Sequence, residues 1–160
     1  GGRIVGEACH FIDLVSCLAG SPITWVCASS LGRETDSLND TVSLLAKTQD
    51  GSMGVVNYLA NGSRRYPKEQ VEVFSQGRVL RIDNFRSLRA FGYTRFRKKR
   101  LAQQDKGHAK QFAQFVSALE QGDNTALGMA AALNTMRATF AALESLRTRS
   151  WVHVPQGPIH

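Results

Sequence analysis

The chain has 160 residues, the size of one domain and enough to bury a core without disulfides or metal. Its 20 Lys and Arg against 13 Asp and Glu leave a formal charge of +7, which favours anionic partners without choosing among nucleic acid, a phosphorylated metabolite and an anionic surface. The 42% hydrophobic and 21% charged content argues against wholesale disorder, and no apolar run approaches the ~20 residues that span a bilayer.

The start, Gly1-Gly2-Arg3-Ile4-Val5-Gly6-Glu7, has neither an initiator Met nor the apolar stretch of a signal peptide, and reads as part of a longer polypeptide. From Glu7 to Ala19 the apolar residues Ala8, Phe11, Ile12, Val15 and Leu18 recur at three- and four-residue steps, which predicts a helix. Gly20 and Ser21-Pro22 end it. The period then changes. Strands are expected over Ile23–Leu31, Thr41–Thr48, Met53–Ala60, Glu69–Phe74, Arg78–Ile82 and Ser87–Tyr93, with turns at Asp50-Gly51, Asn61-Gly62 and Gln76-Gly77. Helical spacing returns over His108–Glu120 and Ala126–Arg147, the latter with Leu133, Met136, Phe140, Leu143 and Leu146 near one side. Trp151–Val154 reads as a last short strand, and Trp25 and Trp151 as sheet core or interface. The order predicts an α+β fold: a large, mostly antiparallel open sheet with helices packed on one face, the other left for solvent or a partner.

Several chemistries lack their parts. There is no G-x-G-x-x-G, no G-x-x-x-x-G-K-[ST] and no G-x-S-x-G. Cys9, Cys17 and Cys27 are odd in number and have no C-x-x-C spacing, which argues against a zinc site or disulfide framework and for a reducing, cytoplasmic setting.

One stretch is dense in chemistry. Glu7, His10 and Asp13 stand at i, i+3 and i+6, a slanting row on one helix face. An imidazole beside carboxylates titrates near neutrality and can shuttle a proton to or from a substrate oxygen. The same spacing also suits a hydrogen-bonded structural His and a surface pair with Asp13. Cys9 projects about 100° away from His10 and reads as a buried structural thiol.

This stretch resembles the opening of the C-terminal domain in the glucose–fructose oxidoreductase / inositol dehydrogenase family, which has Gly-Gly, an Asp, a His and a further Asp three residues on. Gly1-Gly2, Glu7, His10 and Asp13 take those places, with Glu7 for the usual Asp and one residue fewer before the His. Asp105-Lys106-Gly107-His108 and the closing Arg137–Leu146 segment extend the resemblance over nearly the whole chain. It implies that residues 1–160 are a single C-terminal substrate-binding and oligomerisation domain. The family's N-terminal Rossmann domain, with its Glu-Lys-Pro lysine, is absent from the chain and would hold NAD or NADP. It also implies a sugar, polyol or nucleotide-sugar substrate, a homo-oligomer formed through the sheet, and His10 as proton donor or acceptor, with Asp13 orienting it or binding a hydroxyl. The isolated chain is expected to be inactive.

Other residues suit a ligand. Arg64-Arg65-Tyr66-Pro67-Lys68 lies between strands: Arg64 and Lys68 can meet phosphate or carboxylate, and Tyr66 can stack on a sugar or base. The alternative is a solvated basic loop. Lys106 and His108 at a helix start suit an anion, or plain exposure. Arg95-Phe96-Arg97-Lys98-Lys99-Arg100 reads as a flexible, solvated linker rather than a nucleic-acid element. The rival to the enzyme reading is a non-catalytic assembly module of the same fold.

Overall fold

A computed structural model describes residues 2–32, 41–122 and 128–157. The fold is α+β, with two open antiparallel sheets of four strands each where the alternation suggested one large sheet. The described residues form two compact units: residues up to 61 together with those from 128 onward, and the contiguous stretch 62–127.

The first unit opens with a π-helical segment, Ile4–Ala8, in which the Cys9 amide bonds the Ile4 carbonyl five residues back. It runs into α1 (Cys9–Ala19). Ile4, Ala8 and Ile12 are the buried positions of this stretch. Gly20, at φ 64°, ends α1 in the left-handed region, where a side chain would be strained. The strands β1 (Ile23–Ser30), β2 (Thr41–Thr48) and β3 (Met53–Leu59) follow. A last strand, Val152–His153, completes the sheet on the free side of β1. Val26, Ala28, Leu44, Ala46 and Val56 point inward and form the core with Ile12 and Ile23.

In the second unit β4 (Gln70–Ser75), β5 (Arg78–Asp83), β6 (Ser87–Phe91) and β7 (Lys98–Arg100) form a meander. The stretch expected to be a flexible linker therefore contains a strand: Lys98, Lys99 and Arg100 pair with Arg89, Leu88 and Ser87. Strand β6 stops earlier than expected: Gly92, at φ 76°, leaves the extended region, and only glycine fits there, since a Cβ would come within 2.7 Å of the Gly77 carbonyl oxygen. The helix α2 (His108–Gln121) closes this unit.

The longest helix, α3 (Met129–Thr148), belongs to the first unit, and the Val152–His153 strand is β8. The expected start of α3 at Ala126, like Gly1, lies outside the described residues. Its fully buried positions are small or polar rather than the large apolar ones, of which Leu146 packs against the core in part. Asn134, Ala138, Thr139, Ala141, Ala142 and Ser145 are buried, while Met136 and Phe140 are each 54% exposed. Small side chains let α3 sit close to the sheet, and two polar ones bond its backbone. Asn134 Oδ1 accepts from the Ile23 amide at 2.8 Å and its Nδ2 donates to the Ile23 carbonyl at 2.9 Å. Ser145 Oγ accepts from the Ala28 amide at 2.9 Å.

Candidate functional site

Among the described residues, chemistry-bearing side chains gather in two places, one in each unit. In the first unit, Glu7 lies within the π-helical segment and His10 and Asp13 within α1; all three are exposed. An i→i+5 turn holds more residues than an α-helical one, so the 100° count orders His10 and Asp13 on one face but does not carry back to Glu7. Such π-turns occur frequently at functional sites. Asp13 is anchored: Thr135 Oγ1 on α3 donates to its Oδ1 at 2.8 Å. Among the described residues no carboxylate forms an ion pair with His10. The anchored carboxylate retains a second oxygen for a ligand hydroxyl, and the exposed imidazole can exchange a proton with a substrate oxygen. Thr135 was not legible as part of this row, because its partner is 122 residues away in sequence. Among the described residues no three His, Cys, Asp or Glu side chains gather as a metal-ligand set.

The second place is an open basin of about 780 Å³ in unit 62–127. It brings together Arg64, Tyr66, Lys68 and Lys106, four of the five residues singled out for ligand contact. His108, the fifth, is exposed at the first position of α2 and does not line it. The basin adds Arg65, Arg86, Arg89, Lys98 and Arg100, so eight of its fifteen described lining residues are cationic, and among them only Glu69 and Asp83 are acidic. Both acids are engaged. Lys106 Nζ donates to Glu69 Oε1, and Gln104 Nε2 donates to Glu69 Oε2 at 3.1 Å. Asp83 Oδ1 accepts from Arg81 Nε at 2.9 Å, and that bond raises the Arg81 pKa above its ordinary value. Strand register is what places Arg89, Lys98 and Arg100 together, and no spacing within one strand reveals register.

No protein-family model matches this sequence, and no curated protein sequence matches it significantly. Solved structures do match the fold. A myo-inositol dehydrogenase from Corynebacterium glutamicum superposes at a TM-score of 0.72 with 18% identity, over 98% of this chain and 50% of that one. A levoglucosan dehydrogenase, in complex with NADH and levoglucosan, gives 0.70 and 19%, over 98% and 51%. An oxidoreductase domain protein from Kribbella flavida gives 0.69 and 18%, over 98% and 51%. The chain thus has the fold of part of these oxidoreductases and spans about half the length of each.

Proposed function

We propose that this chain is the C-terminal substrate-binding and oligomerisation domain of an NAD- or NADP-dependent oxidoreductase of the glucose–fructose oxidoreductase / inositol dehydrogenase type, acting on a sugar, polyol or nucleotide-sugar. The observation that carries the reading is coverage: 98% of this chain matches about half of dehydrogenases that are twice as long. The chain has no glycine-rich phosphate loop and does not itself furnish a dinucleotide cradle. The cofactor, which supplies the hydride chemistry when bound, is held mainly by a Rossmann domain outside the chain. His10 is the proton donor or acceptor at the substrate oxygen. Asp13, held by Thr135, receives a substrate hydroxyl, and Glu7 stands in the sequence where the family has Asp. The protein acts in the cytoplasm, the reducing setting that three cysteines without C-x-x-C spacing favour.

The experiment is His10→Ala in the full-length enzyme. Turnover should fall by about 10²–10⁴-fold, the usual worth of a general acid–base, with the melting temperature unchanged. Unchanged turnover would transfer the reading to a non-catalytic assembly module. One observation favours that second reading: the outer face of the first sheet carries Trp25, Leu45, Met53 and Val55 exposed. A nucleic-acid-binding domain, the remaining rival, requires oligonucleotide binding that weakens steeply with salt.

A further inference from the structure

We propose that the basin of unit 62–127 is a binding site for a diphosphate group, free or carried on a nucleoside. The proposal stands on this unit alone and does not rest on His10.

Three cations of this sheet stand in one row. Cross-strand register sets Arg81, Arg89 and Lys98 directly opposite one another in a row across β5, β6 and β7. Like charges in facing positions destabilise a sheet. Glu72 and Asp83 compensate Arg81. Among the described residues no carboxylate pairs with Arg89 or Lys98, nor with Arg64, Lys68 or Arg100 around the rim. A bound anion would offset the repulsion that the fold leaves standing, and guanidinium forks match phosphate oxygens bidentately.

The backbone beside that row is held under strain. The turn between β5 and β6 has φ 51° at Asn84 and 48° at Phe85, and a bulky residue such as Phe adopts this region only under constraint. The constraint is visible. Gln104 Nε2 donates to the Asn84 carbonyl at 3.0 Å, and the Asp105 amide donates to the Phe85 carbonyl at 3.1 Å. Lys106 Nζ lies 6.0 Å from the Phe85 ring centre. Gln104 and Lys106 also hold Glu69, so one strained, cross-braced turn fixes the basin wall and occupies its acid.

Size and composition select the ligand. About 780 Å³ lies within the range of small-molecule sites. Several unpaired cations call for more than one phosphate. Tyr66 is the one aromatic residue in the lining, enough to stack a single base, whereas single-stranded nucleic acid needs successive stacking platforms.

The test is calorimetric titration of the full chain with inorganic pyrophosphate and with uridine diphosphate at low ionic strength. Both should bind, and binding should weaken as salt is raised. Arg89→Ala with Lys98→Ala, and separately Arg64→Ala in the loop, should each lower affinity by about tenfold or more. Lys47→Ala, in the first unit, and His10→Ala should leave it unchanged, so a failure here and a failure of the His10 reading are told apart. Uridine diphosphate binding more tightly than pyrophosphate, with the difference lost in Tyr66→Ala, identifies a nucleoside carrier; equal binding identifies the free diphosphate. The proposal is overturned if neither probe binds, if both basin variants bind like the parent, or if an oligonucleotide binds and excludes pyrophosphate.

Discussion

Asn134 shows how much one side chain can fix. It is buried and bonds both the amide and the carbonyl of Ile23, the first residue of β1. Asn134→Ala strands the Ile23 amide, while Gln156 Nε2 still reaches the carbonyl at 2.8 Å. Urea unfolding should show a loss of about 1–3 kcal/mol. Asp50 makes a different kind of contribution, one that depends on pH. Hydrogen bonds from the Thr48 hydroxyl, then from the Ser52 amide and hydroxyl, hold its carboxyl down to about 2 from an ordinary 3.8. A group depressed in the folded state contributes fully above its ordinary pKa and loses that contribution as pH falls through the folded one. Asp50→Asn should therefore flatten the acid side of the stability curve between 3.8 and about 2. Above that window the curves of the two proteins should run parallel. The Asp50-Gly51 turn was legible from the residues; the web of hydroxyls around the carboxylate was not.

At the scale of elements, close approach matters more than side-chain size. A Cβ placed on Gly54 of β3 would lie 2.5 Å from Val15 Cγ1 on α1. The β-branched Val15 has little freedom to move aside. Gly54→Ala should cost about 1–3 kcal/mol, read as a lower urea midpoint with an unchanged slope. The alternation of Val and polar residues made most of the strands legible, and the Glu7-to-Ala19 periodicity located the first helix. It could not show that the helix begins with a wider turn, because π and α turns share the same apolar residues here. Periodicity found α3 but not which of its residues approach the sheet most closely. Met136, Phe140 and Leu143 satisfy helical spacing as well as a core stripe would, and nothing in the spacing says that Ala138, Ala141 and Ala142 approach the sheet instead. Strand β7 escaped notice because Lys98-Lys99-Arg100 has no apolar alternation. Its pairing to β6 is backbone hydrogen bonding, which any side chain permits.

For the molecule as a whole, the open faces decide what it can join. The outer face of the first sheet sets Val55 beside Leu45 and Met53 beside Lys47, with Lys47 Nζ 4.9 Å from the Trp151 ring centre. If this face joins a second copy, Val55→Glu with Leu45→Glu should halve the mass seen by light scattering and leave the far-UV spectrum unchanged; an unchanged mass would remove the sheet as the interface. The fold class was legible because element order alone dictates α+β. The division into two sheets was not, since alternation marks each strand's two faces but not where hydrogen bonding between neighbours ends.

The bonds from Asn134 to Ile23 and from Ser145 to Ala28 join positions 111 and 117 residues apart. The first unit is thus discontinuous in the chain, while residues 62–127 are contiguous. During synthesis, β1 must wait with its inner face uncovered until α3 emerges, whereas the β4–β7 meander can zip up from near neighbours as soon as it leaves the ribosome. Premature termination anywhere before Met129 would leave Val26, Leu44 and Val56 without their covering helix, a nascent chain for chaperones or proteases to intercept.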